Sequence, residues 1–146
     1  MKRAIDILKS KPSQVVYTVS SSTPILDAVR MMSDHNVGAL IVTEGSHIVG
    51  VVSERDYVRR LAATGPDAYY GEVADIMTSP VMYVPPSHSN EECMALMTES
   101  RLRHLPVVEN GRLLGVISIG DLVKDIISEQ QYVIEQLEHY ITGAPA

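Results

Sequence analysis

The fold of this chain is decided by Gly115-Val116-Ile117-Ser118-Ile119-Gly120-Asp121 and by its earlier copy, Gly50-Val51-Val52-Ser53-Glu54-Arg55-Asp56. The copies lie 65 residues apart (115 − 50 = 65). At that offset, residues 16–59 align without a gap with residues 81–124, and twelve of the 44 aligned positions are identical. Self-similarity at a fixed spacing is the signature of a repeated structural unit. The sequence therefore predicts a tandem duplication.

The first copy predicts one supersecondary unit. An extended stretch at 15–19 is followed by a helix starting near Pro24, because apolar residues then recur at helical spacing. Short runs rich in β-branched residues at 37–42 and 48–52 predict two adjacent strands. From Ser53 the period becomes helical again. The unit is therefore β-α-β-β-α.

The second copy repeats this order, with strands at 105–108 and 113–117 and a capping-box sequence that starts at Ser89. Apolar residues between 126 and 141 predict a final amphipathic helix, ended by Gly143 and Pro145. The fold class is therefore α+β, with two β-α-β-β-α repeats and a C-terminal helix. The predicted boundaries are 13–63 for repeat 1, 64–78 for the linker, 79–128 for repeat 2, and 129–146 for the C-terminal helix and tail.

Composition excludes several classes of function. The chain has 146 residues, is 45% hydrophobic and carries a net charge of −6, which argues against nucleic acid as a partner. No apolar run is long enough to span a membrane and no signal sequence is visible, so a cytoplasmic location is expected.

The single cysteine, Cys93, is expected to be a small core residue. The histidines lack metal-binding spacing, so no metal is expected.

Two interpretations of the Ser-x-x-Asp turns are open. Ser53 with Asp56, and Ser118 with Asp121, have the spacing of a helix capping box, in which each side chain satisfies a free backbone N–H. The same groups suit a ligand, since a helix N-terminus attracts phosphate and a carboxylate accepts hydrogen bonds from a ribose diol. The repeated context of the turns favours a binding site.

Basic residues distinguish the two copies. Arg103 and His104 stand at the entrance to a strand, where an arginine can grip a phosphate through two hydrogen bonds. The first copy has Gly38 and Ala39 at these positions. Arg55 lies close enough to its helix start to meet an anion. No Ser/His/Asp or Cys/His grouping indicates catalysis, so the chain is not expected to be an enzyme.

The duplicated unit, the two turns, the linker Asp75-Ile76-Met77-Thr78 and the stretch Arg103-His104-Leu105-Pro106-Val107-Val108 together resemble tandem CBS-domain proteins of the stand-alone bacterial type. The family is named after cystathionine β-synthase, and the resemblance covers almost the whole chain. It implies two repeats related by a pseudo-twofold axis, with clefts between paired sheets that hold adenine-containing ligands. It also implies a homodimer in which four CBS repeats form a flat disc.

Transferred by position, the resemblance implies that Asp56 and Asp121 hold ribose and that Ser53 and Ser118 meet phosphate. Arg103 and His104 would grip the phosphate in the second site, which is therefore expected to be the better equipped. The residues expected to flank adenine are Thr18, Val19, Val37, Gly38, Ala39, Tyr83, Val84, Leu102, Leu105 and Pro106.

The function expected is that of a regulatory sensor binding adenosine nucleotides. AMP is the foremost ligand, with ATP, NAD(H) or S-adenosylmethionine as alternatives, and no catalytic cofactor is expected. The expected partners are a second copy of the chain and a protein effector, without nucleic acid or membrane. The alternative is a ligand-independent dimerisation scaffold that regulates a partner protein.

Overall fold

The computed structural model describes residues 2–12 and 15–142. Its elements in chain order are α1 (Ala4–Ser10), β1 (Thr18–Ser20), α2 (Ile25–His35), β2 (Ala39–Glu44), β3 (His47–Ser53), α3 (Glu54–Thr64), two 3-10 turns (Gly65–Asp67 and Val73–Asp75), α4 (Asn90–Ser100), β4 (His104–Glu109), β5 (Arg112–Ser118) and α5 (Ile119–Thr142). The predicted helix end at Gly143 and Pro145 and the predicted start of repeat 1 at residue 13 lie outside the described residues.

The chain forms two compact units. One consists of Val15–Tyr83 with Val108–Gly115, and therefore contains the first copy. The other contains most of the second copy, at Val84–Val107 and from Val116 onward, together with the N-terminal residues. The predicted order β-α-β-β-α is confirmed in the first copy, and the α+β class is confirmed for the chain.

The first-copy unit has a three-stranded sheet in the order β1-β2-β3. β1 runs parallel to β2, whereas β2 and β3 form an antiparallel hairpin in which Ala39 lies opposite Ser53. The buried side chains that share this core are Val19, Ala28, Met32, Leu40, Val42, Val52 and Val73. Gly50 packs against the linker, because a Cβ atom there would come within 2.6 Å of the Met77 sulfur. The predicted apolar stripe of α2 thus supplies part of the core.

In the second copy the first strand is shorter than predicted. Where the first copy has β1, the second has one parallel bridge between Val84 and Val107. Pro80, Pro85 and Pro86 surround this position. Proline lacks the N–H that a sheet ladder needs, so these residues limit the pairing to one bridge. β4 and β5 form the expected two-stranded sheet.

Helix α5 is a single helix of 24 residues. The predicted boundary between residues 128 and 129 falls inside it, so the C-terminal helix is the distal part of α5. The physical reason is that residues 121–142 contain no glycine or proline, and nothing in that stretch breaks a helix. No helix within residues 2–12 and 15–142 has both the length and the apolarity needed to cross a bilayer.

Of two other helices, α3 was predicted and α1 was not. The predicted amphipathic helix that follows Ser53 is confirmed as α3, and none of its residues is buried. α1 was not predicted, because seven residues are too few to show a helical period. Its Ala4, Ile7 and Leu8 are buried, and the Ala4 N–H donates to the His88 carbonyl over 2.7 Å. α1 is therefore an integral part of its unit.

Candidate functional site

The turn between β3 and α3 is built on hydrogen bonds between Ser53 and Asp56. The Ser53 N–H donates to Asp56 Oδ2 over 2.8 Å, and the Asp56 N–H donates to Ser53 Oγ over 3.3 Å. The N–H of Glu54 donates to the Gly38 carbonyl over 3.0 Å, which ties the start of α3 to the segment entering β2. We call Ser53, Asp56 and the Gly38 backbone the first cradle.

The turn between β5 and α5 has the same frame. The Ser118 N–H donates to Asp121 Oδ2 over 2.8 Å, and the Asp121 N–H donates to Ser118 Oγ over 3.1 Å. The N–H of Ile119 donates to the Arg103 carbonyl over 2.9 Å. We call Ser118, Asp121 and Arg103 the second cradle. The duplication therefore reproduces each hydrogen bond of this frame to within a few tenths of an ångström.

Both aspartates keep one carboxylate oxygen available. Every hydrogen bond or ion pair that the described residues make to Asp56 or Asp121 ends on Oδ2. Both side chains are also only partly buried. Because each carboxylate oxygen has two lone pairs, Oδ1 can accept two hydrogen bonds from a ligand without breaking the helix cap. Capping and ligand binding are therefore compatible at these positions.

The second cradle contains a cation that the sequence did not indicate. Lys11 Nζ lies 3.0 Å from Asp121 Oδ2 and donates to the Val116 carbonyl over 2.9 Å. Burial raises the pKa of the Asp121 carboxyl, but the Ser118 N–H and the Lys11 ammonium outweigh this effect and hold the pKa below its ordinary value of 3.8. Asp121 is therefore ionised at neutral pH.

A weak sequence signal could have drawn attention to the segment that carries Lys11. Asp6-Ile7-Leu8 is similar to Asp75-Ile76-Met77 of the linker, and each aspartate caps a short helical turn in the same way. Asp6 Oδ2 accepts the Arg3 N–H over 3.1 Å, and Asp75 Oδ2 accepts the Glu72 N–H over 2.9 Å. The two segments are thus capped alike, although they lie 69 residues apart (75 − 6 = 69) and not 65.

The residues predicted to flank adenine fall into two groups. Val19, Val84, Leu105 and Pro106 are buried, so their side chains face the core and only their backbone could meet a ligand. Thr18 and Tyr83 are exposed, and Val37, Gly38, Ala39 and Leu102 are partly exposed. Through the backbone hydrogen bonds of the two cradles, the structure brings Gly38 and Arg103 to the helix starts.

The predicted basic residues are placed differently from one another. The side chains of Arg55 and Arg103 are exposed, whereas His104 is partly buried as the first residue of β4. No hydrogen bond or ion pair joins the Arg55 or Arg103 side chain to another described residue. Both guanidinium groups are thus open to an anion. Cys93, by contrast, is fully buried, as expected of a core residue, and burial raises the pKa of its thiol.

The chain belongs to the CBS-domain family. The family model for the CBS domain matches residues 4–63 and 73–128, which confirms the two tandem repeats. The first match begins within α1, nine residues before the predicted start of repeat 1 (13 − 4 = 9).

Known relatives agree with this assignment. The CBS domain-containing protein CBSX3, mitochondrial, of Arabidopsis thaliana is 35% identical over 94% of this chain and 71% of its own length. A putative signal-transduction protein with CBS domains from Burkholderia ambifaria MC40-6 is 46% identical, with a TM-score of 0.83 over 88% of this chain and 96% of its own. The structure of CBSX2 in complex with AMP is 28% identical, with a TM-score of 0.73 over 88% of this chain and 98% of its own.

Proposed function

We propose that this protein is a non-catalytic regulatory sensor that binds adenosine nucleotides and acts in the cytoplasm. AMP is the foremost ligand, and ATP, NAD(H) and S-adenosylmethionine are the alternatives. The observation that carries the proposal is the pair of carboxylates, Asp56 and Asp121, each held at a helix start through Oδ2 with Oδ1 open among the described residues. A ribose diol offers two hydroxyl donors to such an oxygen. The AMP bound to the related CBSX2 supports this ligand class.

The proposal assigns the tighter site to the second cradle. A phosphate there would meet the positive end of the α5 helix dipole, the Ser118 hydroxyl and the exposed Arg103 side chain. His104 would add a further donor. The first cradle has Gly38 and Ala39 in place of these two residues. A phosphate bound there would therefore be held by the start of α3, the Ser53 hydroxyl and the Arg55 side chain.

The proposal also includes a homodimer, in which nucleotide binding changes the geometry of the pair or its affinity for a protein effector. Exposed apolar side chains on α3 and α5 support an association through helices, since water-exposed apolar surface is stabilised by burial in an interface. Val58 and Leu61 belong to this surface on α3, and Ile134 and Leu137 belong to it on α5.

The test is calorimetric titration of the protein with AMP, ATP, NAD(H) and S-adenosylmethionine. We expect saturable binding of at least one ligand, lost in the double variant Asp56→Ala and Asp121→Ala. Asp34→Ala, which removes an exposed carboxylate of α2, is the matched control and should bind as the unmodified protein does. If no ligand binds at about 1 mM, where affinity is only about −4 kcal/mol, the sensor function is rejected.

The second candidate is a ligand-independent dimerisation scaffold. It is favoured by the helix caps, which are complete without a ligand, and by the ion pair between Asp121 and Lys11. A thermal-shift comparison separates the two functions. The sensor predicts a nucleotide-dependent rise in melting temperature that Asp121→Ala reduces. The scaffold predicts the same small loss of stability in Asp121→Ala whether or not nucleotide is present.

A further inference from the structure

Lys11 takes a place beside the second cradle that an uncharged residue takes beside the first. In the first copy, the carbonyl of Val51 accepts the backbone N–H of Thr78 over 2.8 Å. Val116 is the counterpart of Val51 at the 65-residue offset, and its carbonyl accepts the side-chain ammonium of Lys11 over 2.9 Å. The same strand position is therefore bonded by neutral backbone in one copy and by a positive charge in the other.

The Lys11 ammonium also forms an ion pair with the carboxylate that is proposed to hold ribose. Its Nζ lies 3.0 Å from Asp121 Oδ2, and the two side chains are 27% and 22% exposed. A partly buried pair is screened by salt much less than an exposed one. The ion pairs within residues 2–12 and 15–142 include none that involves Asp56. The two ribose carboxylates therefore differ in whether a cation neutralises them.

The side chains next to each aspartate leave this difference in place. The two residues before Asp56 are one acid and one base, whose charges cancel, and their counterparts before Asp121 are uncharged. Arg103 adds an exposed guanidinium to the second cradle, where the first has Gly38. Lys11 and Arg103 therefore give the second cradle two positive charges that have no counterpart in the first.

Adenosyl ligands differ in the charge of the group attached to the 5′ carbon of ribose. AMP carries an anionic phosphate there, adenosine carries a neutral hydroxyl, and S-adenosylmethionine carries a sulfonium cation. All three present the same ribose diol, so their hydrogen bonds to Asp121 Oδ1 would be alike. A fixed positive charge beside the ribose attracts the phosphate and repels the sulfonium, and it has little effect on the hydroxyl.

We propose that Lys11 is a specificity-determining residue of the second cradle: its ammonium, paired with Asp121, favours adenosyl ligands with an anionic 5′ group over those with a cationic one. This role rests on the proposed nucleotide-binding function and names the ligand class of its tighter site. Without the ammonium, the Asp121 carboxylate would repel a phosphate and attract a sulfonium. Arg103 contacts the phosphate directly, whereas Lys11 acts through the carboxylate that it neutralises.

The test is calorimetric titration with AMP, adenosine and S-adenosylmethionine. Asp56→Ala serves as the parent for every variant, so that the titrations report on the second cradle. Lys11→Met in this parent should weaken AMP binding by about tenfold, leave adenosine binding within about twofold and strengthen S-adenosylmethionine binding by about threefold. These changes of opposite sign are expected from a lost charge and not from a damaged site.

Three further variants in the same parent separate charge from structure. Lys11→Gln keeps an N–H donor for the Val116 carbonyl but has no charge, so it should behave as Lys11→Met does. Lys11→Arg keeps the charge and should preserve the parent's order of affinities. Lys9→Met removes the same charge from an exposed position of α1 outside the cradle, and should leave all three affinities unchanged.

The outcomes distinguish failure of this role from failure of the proposed function. The same change for all three ligands in Lys11→Met and Lys11→Gln, or no change, overturns the role of Lys11 and leaves the sensor function standing. A parent that has lost a ligand bound by the unmodified protein also overturns it, because that ligand would then occupy the first cradle. If the unmodified protein binds no adenosine ligand, the proposed function and the role of Lys11 are both rejected.

Discussion

The first and second cradles have the same hydrogen-bond frame but different charges. In both, a serine N–H donates to the aspartate Oδ2 over 2.8 Å and the helix start is tied to the backbone of the preceding segment. Beside the second cradle, Lys11 pairs with Asp121, and Arg103 is followed by His104; the first copy has Gly38 and Ala39 at the positions of Arg103 and His104. The comparison teaches that local hydrogen bonding sets the shape of the site and that the residues around it set its electrostatics.

The largest expected effect is on nucleotide affinity. Asp121→Ala should weaken the tighter AMP-binding event by about 10- to 100-fold, because hydrogen bonds to a charged group contribute about 1.5–3 kcal/mol. Asp56→Ala should leave the tighter AMP-binding event unchanged and weaken only a second AMP-binding event of lower affinity. Calorimetry of both variants, with Asp34→Ala as control, checks this order. If Asp56→Ala removes the tighter event, the ranking of the two cradles is reversed.

The next largest effect is on affinity for the phosphate group of AMP. Arg103→Gln should weaken AMP by about tenfold through loss of charge-assisted hydrogen bonds, while adenosine, which lacks phosphate, should bind as before. Competition titrations with the two ligands measure the difference. Arg112→Gln, an exposed substitution on β5, serves as the control. An equal loss for AMP and adenosine would mean that Arg103 supports the fold of the cradle and does not contact phosphate.

Removing the serine caps should have a smaller and similar effect in both copies. Ser53→Ala and Ser118→Ala should each lower the free energy of unfolding by about 1 kcal/mol, the usual contribution of an N-cap hydrogen bond. Urea unfolding without nucleotide measures this effect, and Ser46→Ala in an exposed turn is the control. A loss confined to one copy would show that the two frames are not equivalent.

The smallest effect is that of the Lys11 ion pair. A partly exposed pair contributes about 0.2–1 kcal/mol, so Lys11→Met should lower stability slightly at neutral pH and raise the pKa of Asp121. The folded-state pKa of Asp121 is depressed, so its contribution to stability is present above the ordinary pKa of 3.8 and is lost as pH falls through the lower folded value.

The stability difference between Lys11→Met and the unmodified protein should therefore shrink below about pH 4. NMR titration of Asp121, with unfolding measured at pH 7 and pH 3, checks both statements. Lys9→Met, a neighbouring lysine substitution on α1, is the comparison variant. An unchanged Asp121 pKa in Lys11→Met would show that the Ser118 N–H alone depresses it.

Much of the fold could be predicted because the signals are local. The Ser-x-x-Asp caps, the Ser89 capping box and the strand pair ending at Ser53 each depend on residues within a few positions of one another. Hydrophobic period and hydrogen-bonding groups indicate such elements directly. The 65-residue offset then extended each assignment from one copy to the other.

The sequence alone determined the duplicated architecture, the class of protein and the two cradle carboxylates, because local spacing specifies these features. Tertiary structure decided which side chains surround them. Lys11 reaches a backbone carbonyl 105 residues away, and the sequence near Lys11 contains nothing that specifies that contact. The same holds for α3: its period correctly predicts an amphipathic helix, but not that its apolar face is exposed. Burial and long-range ion pairs depend on how distant segments pack, and packing is set by the whole folded unit.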